Sequence, residues 1–273
     1  MPTHDPHPHR IVCLTEEPTE VLYRIGEADR IVGISGFTVR PARARKEKPK
    51  VSAFTSARLE KILELRPDLV IGFSDIQADI ARELIGAGVE VWISNHRSVQ
   101  GIVDYCLRLC CLVGRPEAGQ ALVDQLQAQI EQARQRAAVL PRRPRVYFEE
   151  WDEPRICGIR WVSELITLAG GEDVFAARGQ SSLARGRILE SDEEVFAAAP
   201  ELIVGSWCGK RFAPDRVRAR PGWADVPAVR NDQLAEIKSA LILQPGPAAI
   251  LDGLPALQRL IEHCAALPAE PRR

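Results

Sequence analysis

A chain of 273 residues, 45% hydrophobic and 27% charged, is long enough for one large domain or two ordinary ones, each with a real core. Its 36 basic and 37 acidic side chains leave a net charge of −1, so no general field recruits nucleic acid or an anionic membrane. No apolar run approaches the ~18 residues that cross a bilayer.

Taken in order, the opening MPTHDPHPHR lacks the apolar core of a secretory leader. The expectation is a cytoplasmic protein as the chain stands, or a periplasmic one if a leader was removed. His4, His7 and His9 among prolines read as a disordered tail. Strand Ile11 to Leu14 leads through Thr15, Glu16 and Glu17 to a helix from Pro18 to Ile25, closed by Gly26; a second strand covers Arg30 to Ile34. The stretch from Ser35 to Lys50 carries Arg40, Arg43, Arg45, Lys46, Lys48 and Lys50. It has no aromatic side chains within that basic run, so it reads as a solvated loop rather than a nucleic-acid surface. Then come a short strand Val51 to Phe54, helix Ala57 to Leu65, strand Leu69 to Gly72, helix Ile76 to Ile85, strand Val89 to Ile93 and helix Val99 to Leu112. Strands and helices alternating at this pace imply parallel βαβ units.

Pro116 to Val139 is one long helix, rich in strong helix formers. Its apolar stripe is Ala118, Leu122, Leu126, Ile130, Ala133 and Ala137. At 1.5 Å per residue it would be roughly 35 Å long. Beyond it the βα pattern resumes: strand Val146 to Glu150, loop Trp151 to Pro154, helix Trp161 to Ala169, loop Ala176 to Gly186, helix Asp192 to Ala199, strand Leu202 to Gly205 and strand Gln233 to Ile237. A final helix starts near Pro247, with Pro255 expected to kink or split it. LEKILELRPDLVIGFS before the long helix parallels DEEVFAAAPELIVGSW after it. The fold class that follows is α/β: two Rossmann-like lobes with parallel sheets joined by one long backbone helix. The lobes would cover residues 10–113 and 144–267, and the bridging helix 114–143.

The chemistry is sparse. Seven cysteines, an odd number without CxxC or zinc-ribbon spacing, suit a reducing compartment; Cys106, Cys110 and Cys111 in an apolar helix read as small buried hydrophobes. GxGxxG, GxxxxGK[ST], HExxH and GxSxG are all absent, and the lone mid-chain His96 reads as a loop residue. What stands out is the placement of large or polar side chains just past the carboxyl ends of strands, where open parallel sheets bind ligands. These are Glu16, Glu17, Phe37, Phe54 and Phe73 in the first half, and Trp151, Asp152, Arg160, Trp161, Trp207 and Lys238 in the second. Phe73 and Trp161 read equally well as core.

The run RIVCLTEEPTEVLYRIGEADRIVGISGFTVRP, then LEKILELRPDLVIG, the long helix, LAGGEDVF and EEVFAAAPELIVG resembles the Fe/B12 periplasmic-binding family. Its members are the helical-backbone (class III) solute-binding proteins of ABC importers for vitamin B12, haem and iron–siderophores. The resemblance implies a metal chelate, most of all cobalamin or another corrinoid, held between two lobes. It implies no intrinsic cofactor, no catalysis, a monomeric protein, and docking to importer subunits, with Asp79 and Asp215 as candidate docking acids. The family's cleft aromatics, often Trp, fall near Phe54 and Phe73; its loop after the second strand falls near Phe37 to Arg40, without a Tyr; its second-lobe contact loop falls near Trp151 to Trp161. The expected ligand contacts are therefore Glu17, Phe37, Arg40, Phe54, Phe73, Trp151, Asp152, Arg160, Trp161, Trp207, Cys208 and Lys238. Two rivals stay open: a cytosolic enzyme using Asp152, Glu153 or a Cys208 activated by Lys210, and direct metal-ion binding by Cys157, Cys208 and carboxylates.

Overall fold

The first strand, β1 (Ile11–Cys13), is apolar throughout and fully buried, as a strand covered on both faces must be. The computed structural model describes residues 5–270; His4 lies outside the described residues. In the first unit, β1 is the middle of a five-stranded sheet ordered β3-β2-β1-β4-β5, all parallel. Its other strands are β2 (Ile31–Ser35), β3 (Lys50–Ser52), β4 (Leu69–Phe73) and β5 (Val91–Ser94). The order reverses between β1 and β4, which makes the loops after these two strands the switch point of the sheet. Helices α1 (Glu16–Arg24), α2 (Leu59–Glu64), α3 (Ala78–Gly86) and α4 (Val99–Leu112) cross over between or follow these strands.

Helix α5 (Pro116–Ala138) is continuous over 23 residues. The boundary between the two units falls inside it: Gln100–Gln125 belong with the chain up to His96, and Leu126 onward belongs, with Arg97–Val99, to the second unit. Leu122, Leu126, Ile130 and Ala133 of the expected stripe are buried, joined by Val123. Gly119 lets the helix approach α4, since a Cβ there would lie 2.6 Å from that of Cys110.

The second unit has β6 (Arg145–Asp152), β7 (Arg155–Cys157), β8 (Glu172–Asp173), β9 (Leu202–Gly205) and β10 (Leu234–Glu236), ordered β10-β9-β6-β7 with β8 also on β6. Its helices include α6 (Arg160–Leu168), α7 (Glu193–Ala198) and α8 (Leu254–Ala265). The sheet is parallel except at β7, which pairs antiparallel with β6. The expected loop Trp151–Pro154 is thus a hairpin: Trp151 and Asp152 continue β6, and Glu153-Pro154 make the turn.

Three further expectations are corrected. The N-terminal residues from His7 to His9 are tied down rather than loose, with the His9 and Arg10 N–H groups donating to Asp68 at 2.7 and 2.9 Å and Arg30 donating to the Pro8 carbonyl at 2.9 Å. The stretch Ala176 to Gly186 holds a short helix, Ala176–Gly179, and the start of a 3-10 turn, Ala184–Arg187. Cys106 and Cys110 are buried, but Cys111 is exposed on the same helix. At Pro255 the last helix is interrupted: a π-helical segment, Ala249–Gly253, precedes the α-helix Leu254–Ala265, and the proline cannot donate to the Leu251 carbonyl.

Candidate functional site

In the first unit, the switch point opens on Thr15-Glu16-Glu17, where β1 passes directly into α1. The Thr15 hydroxyl donates to Glu17 Oε1 at 2.7 Å. Both glutamates are buried, at 7% and 2% exposure. Burial pushes Glu16 up to about 7 and Glu17 up to about 8. One turn on, Glu20 faces Arg24 at 2.8 Å and Arg40 at 3.7 Å, so Arg40 is directed at a carboxylate of its own unit.

The remaining strand ends are pinned by one side chain that the sequence reading did not single out. Gln77, fully buried, accepts the Phe73 N–H at 2.9 Å and donates to the Phe54 carbonyl at 3.1 Å. Gly72 makes room for it: a Cβ there would lie 2.5 Å from Gln77 Oε1. Gly72 and Gln77, five residues apart around a strand end, were the available sequence signal. Phe54 is half-buried and Phe73 is core, 4% exposed. Phe37 is different, at 54% exposure with Val39 exposed beside it, on a loop that Arg45 holds by donating to the Gly36 and Thr38 carbonyls. His96, read as a plain loop residue, stacks on Tyr105 with centroids 4.4 Å apart, meets Phe73 edge-on at 5.2 Å, and has its Nδ1 2.8 Å from Ser94 Oγ. Trp92 stacks on Tyr105 in turn, at 5.5 Å.

In the second unit, the ends of β6 and β9 are organised by a buried carboxylate. Glu149 takes two hydrogen bonds from Arg220 at 2.7 and 2.8 Å, one from the Trp207 indole N–H at 2.9 Å and one from Tyr147 at 3.0 Å. Trp207, expected among the ligand contacts, is therefore core, 2% exposed. Trp161 is likewise buried and donates its indole N–H to the Ile242 carbonyl at 2.9 Å. Trp151 stays half-buried, its indole N–H donating to the Glu153 carbonyl at 2.8 Å. The Lys210 ammonium lies 4.3 Å from the Trp151 ring centroid and 5.0 Å from that of Trp207, and forms an ion pair with Asp152, which Arg216 approaches at 3.1 Å. Asp152 is thus a buried, doubly paired anchor rather than an open acid. Arg160 is exposed and paired with Glu164 at 2.8 Å. Cys208 and Lys238 are exposed. Among the described residues, no group of three or more His, Cys, Asp or Glu is arranged to hold a metal ion, and the Cys157 thiol is buried and pushed up to about 12 by that burial.

Each unit thus presents aromatic and charged groups at the carboxyl edge of its sheet. In the first unit Phe37 is exposed, Phe54 half-buried, and Glu17 and Phe73 buried; in the second Arg160, Cys208 and Lys238 are exposed, Trp151 is half-buried, and Asp152, Trp161 and Trp207 are buried.

The sequence profile of the family described as "Periplasmic binding protein" matches residues 11–241. The vitamin B12-binding protein of Vibrio campbellii is 28% identical over 263 residues, covering 93% of this chain and 88% of its own. Among solved structures, the periplasmic heme-binding protein RhuT from Roseiflexus sp. RS-1 superposes with a TM-score of 0.83 at 26% identity, covering 94% of this chain and 99% of its own. The periplasmic vitamin B12 binding protein BtuF of Vibrio cholerae gives 0.78 at 24%, a likeness of fold, covering 95% and 99%. No described helix is long and apolar enough to cross a membrane.

Proposed function

The chain belongs to the periplasmic binding protein family, and we propose that it is a non-catalytic receptor for a bulky metal chelate, a corrinoid such as cobalamin before haem or an iron–siderophore. The observation that carries this reading is the concentration of aromatic area and polar anchors at the carboxyl edges of both sheets, in a chain only 5% aromatic. Phe37 supports it most directly, because a phenyl ring left 54% exposed on a braced loop is a ready stacking surface. The metal arrives inside its own macrocycle or siderophore, so the protein contributes stacking and hydrogen bonds rather than a ligand set. Delivery to the subunits of an ABC importer belongs to the same proposal. Asp79 and Asp215 are strongly exposed, as docking would need, and each is paired with an arginine three residues on.

The rival readings gain nothing from the geometry. Lys210 is directed at Asp152 and two indoles, and Cys157 is buried in the core.

The test is to mix the purified chain with cobalamin, haem and a ferric siderophore and record visible absorbance and melting temperature. Cobalamin is expected to shift both; no response to any of the three defeats the receptor reading. Phe37→Ala is expected to leave the melting temperature of the empty protein within about 1 °C and to weaken cobalamin binding about three- to tenfold, the worth of one aromatic contact.

A further inference from the structure

Stacking alone does not account for two carboxyl groups buried at the switch point of the first sheet. Glu16 is 93% buried on its 7% exposure, and its Oε2 has no hydrogen-bond partner. Glu17 is bonded by the Thr15 hydroxyl and by its own backbone N–H. Neither forms an ion pair among the described residues, and the bases of this region, Arg24 and Arg40, face Glu20 instead. A second, separate group is incomplete in the same region: the Tyr105 hydroxyl, on α4, is buried without a partner. Burial first, and then the Glu17 carboxyl, push Tyr105 well above its ordinary value, so the two are electrostatic neighbours. The other titratable groups that act on the pair and its surroundings are Glu20, Cys13 and, through Cys13, Lys48. None is a base bonded to either glutamate. Unpaired carboxylates are costly to bury, so Glu16 is held neutral below about pH 7 and Glu17 below about pH 8.

A neutral carboxyl is both donor and acceptor. It matches a primary carboxamide in a two-bond ring: the carboxyl O–H donates to the amide oxygen, and the amide N–H donates to the carboxyl oxygen. The pair closes with no charge left in a dry site. A carboxylate on the guest would instead bring a negative charge into a site where no base bonded to either glutamate neutralises it.

We propose that Glu16 and Glu17 recognise carboxamides on the rim of the guest, so that the site selects an amide-rimmed corrinoid over chelates whose rim carries carboxylates, such as haem. This rests on the receptor reading above and names the chemistry by which that receptor chooses. The Tyr105 hydroxyl supplies an additional donor to the same polar floor.

The experiment titrates the full chain with cobalamin from pH 6 to pH 9, and at pH 6.5 with haem and with a corrinoid whose side-chain amides have been hydrolysed to acids. Affinity for cobalamin is expected to fall above pH 7, by up to tenfold per pH unit for each carboxyl that must stay protonated. The acid-rimmed corrinoid is expected to bind at least tenfold more weakly than cobalamin. Glu16→Gln should flatten the pH profile, and Glu16→Leu should lower affinity about tenfold across the range. The comparison of the two corrinoids uses the unaltered chain, so it decides the matter even where a variant misfolds. A flat profile with equal binding of both corrinoids, or affinity that rises with pH as an ammonium-bearing guest would require, overturns the inference while leaving the receptor intact. Absence of binding to every chelate at every pH removes the receptor reading, and this inference with it.

Discussion

Glu17 shows how much one residue can set. It is ionised in the unfolded chain above its ordinary 4.5 and, in the fold, only as pH passes about 8. A carboxyl raised in this way favours the folded state fully below pH 4.5, and that contribution is lost progressively as pH climbs toward 8. The expected cost is about 3 kcal/mol at pH 7. Glu17→Gln is therefore expected to melt higher than the parent at pH 8 and close to it at pH 4.5, by thermal denaturation at both; equal differences at the two pH values contradict the assignment. At this scale the sequence was legible only in part. The strand-end positions of Glu17 and Phe37 could be read because such a position follows from chain order. Trp207 could not be placed, because its indole partner Glu149 is 58 residues away and nothing local announces it. Gln77 was passed over because its role depends on Gly72 leaving space, a fact of packing.

Among the elements, the end of β6 carries most of the order of the second unit. Through Glu149 it holds Tyr147 of its own strand, Trp207 just past β9, and Arg220 thirteen residues further on. Removing Glu149 strands a buried guanidinium, so Glu149→Ala is expected to cost about 3–5 kcal/mol in denaturant unfolding. Glu149→Ala combined with Arg220→Met should recover much of that loss, which a purely steric cavity would not allow. The strands were readable because each is a short apolar run between turn residues. The β6–β7 hairpin was not, because Glu153-Pro154 reads as a break and the antiparallel return of three residues is too short to show a period. The π-helical segment before Pro255 was hidden for a related reason: proline marks where a helix is disturbed, but not whether it bends or widens.

For the whole molecule, the likeness between the stretches on either side of residues 116–139 proved a sound guide to fold class, since a parallel sheet precedes a single unbroken helix in the chain and a mostly parallel one follows it. That helix contributes packing at both ends. Gly119 meets Cys110 in the first unit; in the second, the Ala133 carbonyl accepts from Gln258 at 2.9 Å and Arg136 grips Glu262 with two bonds, at 2.8 and 2.6 Å. Leu126→Pro removes a buried side chain and a backbone donor at the boundary. It is expected to cost about 3 kcal/mol or more and to broaden or divide the calorimetric transition; an unchanged single transition argues that the helix is dispensable.

The uneven exposure of the thiols has a practical consequence. Five of the seven cysteines are buried, while Cys111 lies in the first unit and Cys208 in the second. A maleimide dye or nitroxide added to the native, unaltered chain should therefore attach once to each unit. The protein carries its own two anchor points for a spectroscopic ruler, and a change in label separation on adding cobalamin would report hinge motion without a single engineered substitution.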